Sequence, residues 1–182
     1  MAGRSLDDVT YGLYIISTAW DGKLNGLIVN TVIQVSSAPE KILVCINKNS
    51  LTHDMISRSR FFSVSVLDQE ATMKFLGPWG FRSGRDVDKF TGVNYKMGVT
   101  GAPIILDNTL SYMEVALYGT LDVESHTIFI GKIVASEKLK NGIPLTYRYY
   151  KEIKGGRASK YAPTFNDWSL LEKMEAKKPH GE

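Results

Sequence analysis

The chain has 182 residues, 43% of them hydrophobic and 23% charged, and a formal net charge of +3. This composition fits one soluble domain long enough for a sizeable core. There is no Lys/Arg-rich block of the kind that reads nucleic acid, and no apolar run approaches the ~20 residues of a membrane span. The lone Cys45 can form neither an intrachain disulfide nor a cysteine-clustered metal site. The amino-terminal stretch lacks a signal peptide's apolar segment, so a cytoplasmic location is expected.

Arg4 to Asp8 reads as one helical turn. Tyr11 to Trp20 (YGLYIISTAW) is rich in β-branched and aromatic residues and reads as a strand. Asp21-Gly22 is a hairpin signal, because both residues tolerate positive φ. The next strand is expected from Leu24 to Val35, followed by a turn at Ala38-Pro39-Glu40 and a strand from Lys41 to Ile46. Asn47 to Ser50 then form a polar loop that opens a helix over Thr52 to Arg60. A meander with little helix in it argues for an antiparallel sheet closed into a barrel. Phe61 to Leu67 (FFSVSVL) alternates with period two, as a strand with one buried face does.

Thr72 to Leu76 reads as a short helix stopped by Gly77-Pro78. Trp79 to Gly98 follows as a long irregular segment rich in aromatic and basic side chains, a combination that points to function. Ala102 to Ile105 reads as a short extended piece. Leu110 to Tyr118 and Thr127 to Ala135 are strands joined by Gly119 to Ser125. Pro144 to Lys151 is expected to be extended, and Gly155-Gly156 to close the compact part. The fold class is mainly β, a barrel with short helices. The domain is expected over residues 1–165, with 166–182 a tail carrying a short amphipathic helix at Asp167 to Ala176.

Two loops suit an anion. Lys48, Ser50 and Thr52 sit at a helix mouth, where unpaired N–H groups and the dipole favour negative charge; Ser50 or Thr52 serves equally well as a plain N-cap. Arg82-Ser83-Gly84-Arg85, with Lys89 four residues on, offers guanidinium forks, a hydroxyl and a glycine that lets backbone approach a phosphate; the same residues also suit a solvated turn. His126 precedes a strand and reads either as a proton donor or ligand contact, or as an ordinary turn histidine. Nothing matches a nucleophile elbow, a histidine metal set or a dinucleotide-binding glycine fingerprint.

Taken together and in order, YGLYIIST, the DGKLNG turn, APE before ILVCINKNSLTH, GFRSGRDVDKF, TGAPIILDN and SHTIFIGKIV carry a resemblance. Over roughly residues 9 to 165 the chain resembles the flavin reductase-like, FMN-binding split-barrel family. It is most similar there to flavoredoxins and to the flavoprotein domain of high-molecular-weight rubredoxins (NADH:rubredoxin oxidoreductase).

The resemblance implies a homodimer with FMN in a groove at the subunit interface. By position, Asn30, Thr31 and Val32 would lie along the isoalloxazine, and Gln34 and Ser36 would reach the ribityl chain. Asn47, Lys48, Asn49, Ser50 and Thr52 match the loop that holds ribityl and phosphate. Ser83, Gly84, Arg85 and Lys89 match a second phosphate-side element. His126 is the candidate catalytic residue, and no metal is expected. The implied activity is an NAD(P)H-dependent flavin reductase, with NADH or NADPH as transient co-substrate, passing electrons to a separate acceptor. The alternative is a flavoredoxin-type carrier reduced by a redox protein of the rubredoxin or ferredoxin type. High-molecular-weight rubredoxins continue into an iron-binding module; here the chain continues as APTFNDWSLLEKMEA, so an iron acceptor would be a separate protein.

Overall fold

The computed structural model describes residues 5–165. The amphipathic helix expected at Asp167 to Ala176 lies outside them. A 3₁₀ turn at Ser5–Asp8 leads into strands β1 (Tyr14–Trp20) and β2 (Lys23–Val29), then β3 (Val32–Ser37) and β4 (Glu40–Asn47). Helix α1 (Leu51–Ser59), β5 (Phe61–Leu67) and helix α2 (Met73–Phe81) follow. Two short strands, β6 (Tyr95–Met97) and β7 (Pro103–Ile105), precede the long hairpin of β8 (Thr109–Val123) and β9 (His126–Lys138), and α3 (Tyr147–Glu152) comes last.

Seven strands form one antiparallel sheet in the order β2-β1-β5-β8-β9-β4-β3. Its two edge strands, β2 and β3, are joined by only Asn30 and Thr31. Opposite edges two residues apart require the sheet to curl until they meet, which is the expected barrel. The single strand expected from Leu24 to Val35 is thus corrected to two, broken at Asn30-Thr31. Its continuous apolarity spans a crossing from one sheet edge to the other.

Alternation along β1 sends Ile15 and Ile16 to opposite faces, and both are wholly buried. Ile16 joins Val44, Phe62, Val64, Val115 and Phe129 inside the barrel, where Ile56 of α1 plugs one end. Ile15 joins an outer core of Leu76 and Trp79 from α2, Ile105 from β7 and Tyr150 from α3, with Phe90 and Leu145 from the connecting segments. The outer face also buries Ser17 and Ser63, whose hydroxyl oxygens lie 2.8 Å apart and both within hydrogen-bonding distance of the Pro103 carbonyl, with two protons to share among these contacts. The irregular β7 segment thereby satisfies polar groups that would otherwise be buried without partners.

Three further expectations are corrected. Helix α2 runs through Gly77-Pro78 to Phe81. A mid-helix proline costs ~3 kcal/mol, but this turn fully buries Leu76 and Trp79, each large side chain contributing roughly 1.5–3 kcal/mol or more. The stretch expected to be extended at Pro144 to Lys151 instead forms α3, capped by the Thr146 hydroxyl accepting from Tyr149 N at 3.1 Å. Strands β8 and β9 outrun their expected ends because the linker at Gly119 to Val123 pairs with His126 to Ile130. The described residues contain no helix long and apolar enough to cross a membrane.

Candidate functional site

A cavity of about 560 Å³ lies at the seam of the barrel, between β2 and β4 beside the β2–β3 crossing, within the range that holds small-molecule cofactors. Strand β2 supplies Asn25 and Leu27 to Val29, the crossing residue Asn30 follows, and β4 supplies Cys45 to Asn47. The loop into α1 gives Asn49 and Ser50, and the first turn of α1 gives Thr52; the end of α2 and its following turn give Trp79 to Asp86; Lys89 completes that wall. Tyr147, Tyr150 and residues Arg157 to Pro163 close another side. The lining holds five cations, Arg82, Arg85, Lys89, Arg157 and Lys160, against one acid, Asp86. It favours a ligand with an apolar body and an anionic end.

The loops that carry the charge are locked to one another. Ser50 caps α1, its hydroxyl accepting from His53 N at 3.1 Å, while also lining the cavity. Thr52 is buried and its hydroxyl accepts from Asn25 Nδ2 at 2.9 Å. The Asn25 carboxamide lies so close to Gly84 that a Cβ there would collide with it. Only glycine allows that approach. Ser83 shapes its turn twice, with its hydroxyl accepting from Arg85 N and its carbonyl from Asp86 N and Val87 N. Arg85 then spans to the other loop, donating to the Asn49 carbonyl at 3.0 Å and the Asp54 carboxylate at 2.7 Å.

Lys89 is buried beside the cavity, and its ammonium donates to the Gly26 carbonyl at 2.8 Å. Burial pushes its pKa down to about 8. A buried cation with a single neutral partner is electrostatically dissatisfied, and an anion in the cavity would relieve it.

Of the residues expected at the site, Asn30, Asn47, Asn49, Ser50, Thr52, Ser83, Gly84, Arg85 and Lys89 line this one cavity. The others lie outside its lining. Lys48 pairs with Asp122. Thr31 donates to the Asn30 side chain, and Val32 packs at the margin of the inner core. Gln34 is exposed on β3 and donates to the Ser36 carbonyl. His126 engages Ser125 Oγ and the Tyr161 carbonyl through its two ring nitrogens.

Sequence reasoning missed Asn25, Trp79, Tyr147, Tyr150 and the whole stretch from Arg157 to Pro163. Gly155-Gly156 looked like an end, but Gly155 has φ +66° and a Cβ at Gly156 would strike the Tyr150 ring. The pair turns the chain back across the cavity. The run of tyrosines before the two glycines was the available signal.

A family model described as "Flavin reductase like domain" matches residues 6–154. The high molecular weight rubredoxin of Moorella thermoacetica is 44% identical over 165 residues, 91% of this chain and 72% of that protein. The ferric-chelate reductase (NAD(P)H) of Archaeoglobus fulgidus is 40% identical over 157 residues, 86% of this chain and 93% of that protein. Among solved structures, the NADH:FAD oxidoreductase of Streptomyces globisporus superposes with a TM-score of 0.66 at 26% identity, covering 75% of this chain and 80% of that one.

Proposed function

The chain belongs to the flavin reductase-like domain family, and from that premise we propose that it is an NAD(P)H-dependent flavin reductase. It holds FMN in the seam cavity and passes electrons to a separate acceptor. The observation that carries this reading is the cavity itself. One wall is apolar (Leu27, Ile28, Val29, Ile46, Trp79), and the loops beside it supply Ser50, Ser83, Arg82, Arg85 and Lys89. That donor set fits a planar heterocycle tethered to a phosphate.

FMN when bound supplies the redox chemistry, accepting hydride from a reduced nicotinamide and yielding electrons onward. The chain's own residues bind and orient. Arg85, Ser83, Ser50 and Lys89 would hold the phosphate. Asn30 and Asn47 would meet the polar edges of the ring system, and Trp79 and the β2 aliphatics would keep water from it. His126 stays outside this set, because it does not line the cavity.

A homodimer belongs to the same reading. On the outward face of the sheet, Ile33, Val35, Tyr118 and Leu121 are 48–68% exposed. Register places Leu43 beside Ile33 and Ile130, and Cys45 beside Ile128. Cys45 also lines the cavity, so a second copy on this apolar face would stand next to the flavin.

Stopped-flow mixing of the FMN-loaded protein with NADH and with NADPH tests the assignment. Rapid bleaching of the flavin absorbance is expected with at least one of them. Bleaching only by a reduced iron–sulfur protein would make the chain a carrier of the flavoredoxin kind. A colourless protein that fails to bind added FMN would overturn the flavin assignment altogether.

A further inference from the structure

We propose that residues 157–164 form a strap that keeps FMN resident in the cavity, latched by His126 and Asn30; this rests on the flavin reading above. The strap contributes seven consecutive residues, 157–163, to the cavity wall. It makes no strand pairing, and none of its residues belongs to either core. Tyr161 is 47% exposed. Burial therefore does not hold it down.

Individual tethers hold it instead. At its start, the Tyr150 hydroxyl donates to the Arg157 carbonyl at 3.1 Å. In the middle, His126 Nε2 lies 3.0 Å from the Tyr161 carbonyl. A carbonyl only accepts, so Nε2 carries the proton and Nδ1 accepts from Ser125 Oγ at 2.8 Å. At its end, Asn30 Nδ2 donates to Thr164 Oγ1 at 2.8 Å, and Thr164 in turn reaches the Tyr147 hydroxyl. These anchors come from β9, from the β2–β3 crossing and from α3, so the strap bridges both sides of the opening. An element held by a few hydrogen bonds and little apolar burial opens at low cost compared with the barrel. Its opening governs how fast a ligand beneath it escapes. The buried His126 ring is thus a positioning group that acts through Tyr161.

The test measures FMN release. Holo protein is mixed with an excess of an FMN-scavenging apoprotein, and the dissociation rate is followed by fluorescence; riboflavin is run in parallel. His126→Ala, which removes one tether, should raise the release rate roughly tenfold, and Thr164→Val, which removes the bonds to both Asn30 and Tyr147, by at least as much. Riboflavin release should be accelerated as well as FMN release, because the latch residues do not touch the phosphate. His126→Gln, which keeps a donor, should restore most of the retention. In the wild type, FMN should slow trypsin cleavage after Arg157 and Lys160, and this protection should be lost in His126→Ala. Thr164→Val keeps the test decisive if the histidine variants fold poorly. Wild-type release rates in the variants, or cleavage indifferent to FMN, would overturn the strap while leaving the flavin reading intact. Failure of the wild-type chain to bind FMN would remove both.

Discussion

Lys89→Met should stabilise the ligand-free protein and weaken its grip on FMN. Lys89 titrates near 10.5 when unperturbed and at about 8 in the folded chain, because burial disfavours its charge. Between these values the unfolded chain holds the extra proton, so stability from this group rises with pH across the window. Below pH 8 the full cost of burying the ammonium is present, about 3 kcal/mol for a shift of this size. Methionine removes that cost but also the bond to the Gly26 carbonyl, which contributes about 1.5 kcal/mol. The net expectation is a gain of about 1–2 kcal/mol at pH 7. Urea unfolding of the apo protein should show a midpoint higher by roughly 0.5–1 M at unchanged slope. The rise in stability between pH 8 and 10.5 should flatten.

The phosphate monoester of FMN becomes a dianion above about pH 6, so wild-type affinity should be greatest between about pH 6 and 8 and fall as Lys89 loses its proton. Lys89→Met should abolish the alkaline fall, raise the FMN dissociation constant tenfold or more at pH 7, and leave riboflavin binding unchanged. A lower urea midpoint with equal losses for FMN and riboflavin would refute the reasoning. Lys89 would then be an anchor of the loop and not a ligand for phosphate.

Arg85→Ala removes the donor to Asn49 and Asp54 together with the phosphate contact proposed for it, so titration should show FMN weakened about tenfold or more and riboflavin weakened slightly. Gly84→Ala drives a Cβ into the Asn25 carboxamide; overpacking of this kind costs about 1–3 kcal/mol, and thermal unfolding should show it together with weaker binding of both flavins. Ile33→Lys places a charge on the apolar sheet face, and on the proposed homodimer sedimentation equilibrium should find the wild type as a dimer and the variant as a monomer.

Local chemistry made the elements legible where it acted alone. Asp21-Gly22 adopts the positive φ its hairpin needs, and Ser50 caps α1 as its position before the helix allows. The two anion-suited loops were legible as composition, and the fold brings them to one cavity. The direction of single side chains was not legible. Lys48 and Asn49 are neighbours, yet Lys48 turns to Asp122 and Asn49 to the cavity. His126 stands at the start of β9, as its place before an apolar run indicated, but one of its two partners, Tyr161, lies 35 residues on in a segment with no pattern of its own. Tertiary burial also overrode the punctuation of Gly77-Pro78, because Trp79 fills the outer core.

The same crossing that hides the β2–β3 break from pattern reading also explains why the site is where it is. β2 ends the sheet, so one of its sides has no strand partner. Lys89 shows which groups face that side, since it donates to the Gly26 carbonyl. In an antiparallel strand the N–H and C=O of one residue point the same way, and residues two apart share a direction. Ile28 therefore presents its backbone donor and acceptor on the same open edge as Gly26, and it lines the cavity. An exposed edge is a template for unwanted pairing, and here the α2 turn and the 157–163 strap cover it. What they cover is a ready-made pair of hydrogen-bonding groups set in an apolar wall. A flat heterocycle with its own donors and acceptors satisfies that edge without a strand. Barrel closure by a two-residue link thus creates the polar edge, the covering segments enclose it, and the buried Lys89 ammonium beside it favours negative charge in the cavity.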